Sequence, residues 1–476
     1  MTETNFLNKA LKETVLTRRS FLKWSAALGG AVALTGGVKF GLKTAQAAAS
    51  ADSQIFTTSC YHNCGSRCIL WAEVKDGTVV RMLPDQDPED SFERMKAIPC
   101  VRGRSQKWRV YSPERLKYPM KRVGKRGEGK FERISWEEAL DTIATKMKEI
   151  KEKYGNEAFY YNYATGQIAG GIDNTYKGVG PIARVMHLFG GYVNFYGTYS
   201  SACYSAALPY ITNMGSNSSD DLVNSKLVVL FAFNPCVTIS GGKGMGYHCI
   251  KAKEAGAKFI VIDPIYNDTA IATEAEWIPI YPGTDCALIA ALAYVMVKEE
   301  LYDKEFMASH AVGFFEHSLP AGAPRNSSYM AYIMGLADGV KKTPEWAAPI
   351  TGIPADRIVK LAREIASVKP CAMLQGLGWQ RRAYGEQPVR ALPVLAAMTG
   401  NFGVMGGGTG TRQSSGTNIS IGSFPAGENP IKTTISVYMW PDFIERGHEM
   451  TSGPRDLIKG AEKLSAEVRR TYSEKF

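Results

Sequence analysis

An α/β fold is predicted for this 476-residue chain: a doubly wound parallel sheet behind a small, cysteine-bearing N-terminal domain. Three observations predict it. Short continuous apolar runs (227–233, 259–263 and 372–375) alternate with amphipathic helical stretches, as in parallel strands covered on both faces. Between residues 55 and 119 that alternation is missing, and Cys, Arg and turn residues dominate. Four cysteines, Cys60, Cys64, Cys68 and Cys100, fall in that region.

The first 47 residues read as an export leader. Thr17, Arg18, Arg19, Ser20, Phe21, Leu22 and Lys23 precede a Gly/Ala-rich apolar stretch, and Ala45-Gln46-Ala47 is a small-residue cleavage site, with cleavage expected after Ala47. The paired arginines resemble the twin-arginine signal, an address rather than an anchor. The apolar stretch is too short and too rich in glycine to span a bilayer. The leader also explains the charge. It holds seven basic against two acidic side chains, half of the net +10, so the mature chain shows no basic nucleic-acid footprint and no nucleic-acid partner is expected.

The next segment, 48–120, is expected to be built around the cysteines. Three thiols in Cys60-x3-Cys64-x3-Cys68 can wrap one compact centre, and Cys100 can close it. An all-Cys set with this spacing fits a [4Fe–4S] cluster; a structural zinc site and two disulfides remain the alternatives. Arg102 and Arg104 follow Cys100 and would offset the charge of thiolates. Cys203, Cys236, Cys249, Cys286 and Cys371 lie in or beside apolar runs and read as small core residues.

Ser135 and Glu138 then fit a capping box, and Leu140, Ile143, Met147, Ile150 and Tyr154 share one helical face that Gly155 ends. Helices are predicted over 247–255 and 287–301 and around Ile358, Leu361, Ala362 and Ile365, each between the apolar runs. A Gly/Ser/Thr-rich loop covers 401–418, and 459–476 is charged. In such a sheet ligands lie beyond the carboxyl ends of the strands, which directs attention to the residues after each run.

The cysteine set, followed by CVRGRS at 100–105, RLKYPMKRVGKRGEGKFERISWEEA at 115–139, NSKLVVLF at 224–231, PGTD at 282–285, KTPEWA at 342–347 and MTGNFG at 398–403, resembles the catalytic subunit of the anaerobic dimethyl sulfoxide reductases, within the molybdopterin oxidoreductase family. The resemblance implies a [4Fe–4S] domain (48–120), the first part of a molybdopterin-binding core with the metal ligand (121–220), a Rossmann-like guanine-dinucleotide-binding domain (221–400) and an incomplete C-terminal segment (401–476). Family members are longer, so the C-terminal part of the fold is expected to be missing.

It also implies molybdenum held by two molybdopterin guanine dinucleotides and one protein ligand, here Ser200, with Ser201 and Cys203 beside it as alternatives. An alkoxide is a hard donor suited to high-valent molybdenum. The implied dinucleotide contacts are the small-residue loop Ile168, Ala169, Gly170, Gly171 and Ile172, then Val237 and Thr238, Ile262 and Asp263, Gly283, Thr284 and Asp285, and Leu377, Gly378 and Arg381, with Arg102 between cluster and pterin. Most of these follow predicted strands, where small residues admit phosphate to the backbone and an acidic group can accept from a ribose or base. Val237 stands where the family carries Glu, with one residue fewer.

The implied activity is transfer of an oxygen atom from a small S-oxide or N-oxide in anaerobic respiration, with an iron–sulfur electron-transfer subunit and a quinol-oxidising membrane anchor as partners, peripheral on the periplasmic face of the membrane. The alternatives are a selenate or other oxyanion reductase and a non-catalytic fragment. A molybdenum-free electron-transfer subunit is disfavoured by the leader, Ser200 and PGTD.

Overall fold

A computed structural model describes residues 52–60, 68–84, 92, 99–161, 180–197, 200–212, 214–238, 244–411, 413–414, 425–437, 440–446 and 458–459. The leader, Cys64 and the Ile168–Ile172 loop (168–172) lie outside the described residues. Contacts within the chain divide it into two units, Met1–Ile55 and Phe56–Phe476.

The cysteine-bearing region holds more regular structure than its composition foretells. Strands β1 (Gln54–Ser59), β2 (Ile69–Lys75) and β3 (Thr78–Pro84) form one sheet in that order. Asp76 and Gly77, both at positive φ (49° and 72°), make the two-residue turn between β2 and β3, a hairpin connection whose twist matches the strands. Two short helices follow, α1 (Val101–Arg104) and α2 (Gln106–Val110). A second hairpin pairs β4 (Met120–Arg122) with β5 (Phe131–Arg133).

Helix α3 (Trp136–Tyr154) starts where predicted, but only half of the capping box forms. Ser135 Oγ accepts from the Glu138 N–H at 3.0 Å, while Glu138 Oε1 takes the Lys121 ammonium at 3.0 Å instead of reaching back. Its apolar face, expected to be packed, leaves Leu140 and Ile143 exposed among the described residues. Helix α4 (Pro181–Phe189), β6 (Asn194–Tyr196), α5 (Ala202–Ala207) and β7 (Ser216–Ser218) lead into the main sheet.

That sheet has four parallel strands: β8 (Leu227–Phe231), β9 (Lys258–Ile262), β10 (Glu276–Ile278) and β11 (Cys371–Gln375), in the order β10-β9-β8-β11. The chain winds outward from β8 through α6 (Met245–Glu254) to β9 and through α7 (Asp268–Ala272) to β10, then returns to place β11 on the other side of β8. Side chains alternate between two cores. Leu227, Val229, Phe231, Ile260, Ile262 and Met373 share one with helices α8 (Asp285–Lys298), α9 (Pro344–Thr351), α10 (Ala355–Ser367) and α11 (Glu386–Met398). Val228, Leu230, Val261, Ala372 and Leu374 share the other with Met245, Cys249 and Ala252 of α6. Burial on both faces is why these strands read as unbroken apolar runs.

The remaining strands are short. β12 (Gln413–Ser414) pairs with β7, and β13 (Thr434–Ser436) lies between β6 and β14 (Ile458–Lys459). Several boundaries move by one to three residues from those predicted. β8 ends at Phe231 because Ala232 turns away at φ 46°, and α8 covers Asp285–Lys298 because Glu300 adopts φ 56°. The five cysteines outside the N-terminal set divide: Cys249 and Cys371 are core residues, whereas Cys203, Cys236 and Cys286 are half-buried.

Candidate cofactor site

Two groups of residues make up the candidate site. In the first, β2 brings Leu70 into a small core with Cys60 and Cys68, and the Cys60 N–H donates to the Cys68 carbonyl at 2.7 Å. Both cysteines are buried. Cys100 is the N-cap residue of α1, whose Gly103 faces this core: a Cβ there would stand 2.8 Å from Pro99 Cβ and 3.4 Å from Cys60 Sγ. Gly103 therefore lets the helix that starts at Cys100 approach Cys60 closely. Burial raises the Cys100 thiol pKa, but hydrogen bonds from the Arg102 side chain and from the Arg102 and Gly103 backbone outweigh it and hold the thiol below the ordinary cysteine range.

The donor set thus fits an iron–sulfur cluster: neighbouring thiols, one already biased toward thiolate, with a guanidinium to offset charge. Among the described residues no three His, Cys, Asp or Glu side chains form a metal-holding group; the fourth cysteine, Cys64, lies outside them.

The second group surrounds the place where the strand order reverses, between β8 and β11. Gly376 N–H donates to the Phe231 carbonyl at 2.9 Å, and a Cβ on Gly376 would collide with the carbonyl oxygen of Ala232. The backbones after β8 and β11 touch directly at the carboxyl ends of the strands, the side on which ligands usually lie in such sheets. Leu377, Gly378 and Arg381 lie on the loop after β11. Val237 and Thr238 follow β8 in a turn whose N–H groups both reach the Asn234 carbonyl, with Val237 half-exposed. Asn234 Oδ1 in turn accepts from Thr269 Oγ1 at 2.7 Å, tying this turn to α7.

Ile262 ends β9, and the Asp263 carboxylate accepts from the Ile265 N–H at 3.0 Å and Asn267 Nδ2 at 3.2 Å. Gly283 (φ 94°), Thr284 and Asp285 open α8. Thr284 does not cap it with its side chain; its hydroxyl donates to the Tyr281 carbonyl at 2.7 Å. Asp285 is buried and pairs with Arg382 at 3.2 Å. Burial, with Asp263 nearby, pushes the Asp285 carboxyl above the ordinary aspartate range, against the opposing pull of its own backbone N–H and Arg382.

Ser200 is exposed, and Ser201 forms the N-cap of α5. The Ser200 carbonyl accepts from Gln380 Nε2 at 2.9 Å and from Arg381 Nε at 3.2 Å. The loop after β11 therefore ties Ser200, 180 residues away in sequence, to the carboxyl end of the sheet. Gln380 carried no signal in the sequence, because a contact to a distant backbone carbonyl imposes no spacing or motif. A cavity of about 510 Å³ lies apart from these residues, bordered by Asn217, Asp220, Asp221 and Val404.

Comparisons with known proteins identify the family. Residues 115–459 match the molybdopterin oxidoreductase model, 53–112 the molybdopterin oxidoreductase Fe4S4 domain and 15–35 the twin-arginine translocation pathway signal sequence. The chain is 49 % identical over 428 residues to dimethyl sulfoxide reductase DmsA of Escherichia coli (strain K12), covering 89 % of this chain and 52 % of that protein. It is 31 % identical to the dimethyl sulfoxide/trimethylamine N-oxide reductase of Cereibacter sphaeroides, covering 88 % and 50 %. The chain thus spans about half the length of these curated relatives. Among solved structures, acetylene hydratase from Pelobacter acetylenicus superposes with a TM-score of 0.53 at 26 % identity, over 73 % of this chain and 44 % of that one. With the molybdopterin oxidoreductase model matched over 115–459 and its Fe4S4 domain over 53–112, the chain belongs to the molybdopterin oxidoreductase family.

Proposed function

We propose that this chain carries the catalytic centre of a molybdenum-dependent terminal reductase that removes an oxygen atom from a small S-oxide or N-oxide. The observation that supports the reading is the tie between the Ser200 backbone and the loop after β11, which is consistent with a metal ligand near the strand ends. The names of the relatives support the substrate class.

When bound, molybdenum and its two guanine dinucleotides supply two-electron oxygen-acceptor chemistry, and a [4Fe–4S] cluster supplies one-electron transfer. The chain's own residues do the rest. Cys60, Cys64, Cys68 and Cys100 hold the cluster, and Arg102 favours the Cys100 thiolate. Ser200 offers a hydroxyl oxygen to the metal. The Ile168, Ala169, Gly170, Gly171 and Ile172 loop, Val237, Thr238, Ile262, Asp263, Gly283, Thr284, Asp285, Leu377, Gly378 and Arg381 hold the dinucleotides, with main-chain N–H groups for phosphate and carboxylates for ribose or guanine donors. Asp285, kept in place by Arg382, presents its backbone at the start of α8. The electron donors are an iron–sulfur subunit and a quinol-oxidising membrane anchor, and the assembly sits on the periplasmic face of the membrane.

The test is Ser200→Ala in the exported protein. Turnover of dimethyl sulfoxide and trimethylamine N-oxide with an artificial reductant is lost while the visible iron–sulfur absorbance stays. Full activity in that variant removes Ser200 from the centre.

A further inference from the structure

The amide of Gln380 sits between the loop after β11 and the segment that carries Ser200, and the residue is buried, with 2 % of its surface exposed. Its Nε2 donates to the Ser200 carbonyl at 2.9 Å. A carbonyl oxygen can only accept, so this contact fixes which way round the amide lies. Its Oε1 is consequently turned elsewhere, and there it is buried with no hydrogen-bond partner among the described residues. Buried acceptors in native proteins are almost always satisfied, so an open one on the loop after β11, at the carboxyl ends of the strands, marks where a donor arrives with the ligand. The neighbouring side chains divide the same loop's contacts: Arg381 joins Gln380 on the Ser200 carbonyl, and Arg382 turns to Asp285.

We propose that Gln380 is a positioning residue with two faces. Nε2 fixes the backbone of the metal-ligand segment at Ser200, and Oε1 accepts an N–H from the pterin of a bound dinucleotide, so that one amide couples cofactor binding to ligand placement. This rests on the reading of Ser200 as the molybdenum ligand. Pure packing would need no polar atoms at this position, and an apolar side chain of the same length would serve equally well.

The experiment compares Gln380→Met, Gln380→Glu and Ser200→Ala in the full, exported, cofactor-loaded protein. It reads three things: hydrogen exchange of the backbone amides at 200–205, molybdenum content, and the molybdenum electron-paramagnetic-resonance signal. Gln380→Met loses both faces, so exchange across this segment rises as its anchor is lost, and molybdenum content falls. Gln380→Glu keeps an acceptor but loses the donor, so exchange rises and the resonance shifts while molybdenum is retained. Wild-type exchange and resonance in both variants overturn the proposal. If Gln380→Met does not accumulate as folded protein, Gln380→Glu decides alone, and unchanged exchange in it overturns the proposal. An unaltered resonance in Ser200→Ala overturns the ligand reading itself, separately from any effect at Gln380.

Discussion

Cys100 and Asp285 show how the neighbours of a single residue set its chemistry. At Cys100, Arg102 outweighs the effect of burial and favours the thiolate; Cys100→Ala is expected to remove most of the visible iron–sulfur absorbance and bound iron, measured on the anaerobically purified protein. Gly103→Ala disturbs the same place from the helix side. Its methyl group meets Pro99 and Cys60 Sγ, and a loss of about 1–3 kcal/mol of stability is expected with lowered iron content. Asp285 has the opposite electrostatics. Its folded pKa is raised by burial, so its contribution to stability is fullest below the ordinary aspartate value of 3.8 and is lost as pH rises through the folded pKa. Thermal unfolding measured from pH 3.8 upward should show wild type losing stability relative to Asp285→Asn. A pH-independent difference would contradict the assignment.

The elements show what could be read from sequence and what could not. β8, β9 and β11 are legible because both faces of each are buried, which leaves an unbroken apolar run with no polar alternation to confuse it. The residues that follow them stand at strand ends, which in a doubly wound sheet mark the ligand edge. The β2–β3 hairpin was masked by its surroundings of Cys, Arg and turn residues, although Asp76-Gly77 is a recognisable two-residue turn. The second half of the predicted capping box fails because Lys121, from another hairpin, competes for Glu138. The tie from Gln380 to Ser200 joins a side chain to a distant main-chain oxygen and leaves no pattern in either segment. At this scale the contact between β8 and β11 is the point to test. Gly376→Ala drives a methyl group into the Ala232 carbonyl, where neither backbone can give way without loosening the sheet. A loss of about 3 kcal/mol or more is expected in denaturant unfolding, with dinucleotide binding lost alongside.

At the scale of the whole molecule, export and cofactor loading belong together. The signal sequence at 15–35 addresses the chain to the twin-arginine pathway, and among the described residues no helix is long and apolar enough to cross a membrane. Replacing Arg18 and Arg19 together by Lys is expected to leave the protein in the cytoplasmic fraction with its cofactors bound; periplasmic recovery at wild-type levels would show a different route. We propose that one chain holds both a cluster at its cysteines and molybdenum at Ser200. Elemental and nucleotide analysis of the purified protein measures this most directly. About four Fe and about one Mo per chain, with guanine nucleotide released on denaturation, is the predicted result. Iron at that level with no molybdenum and no guanine nucleotide would contradict it.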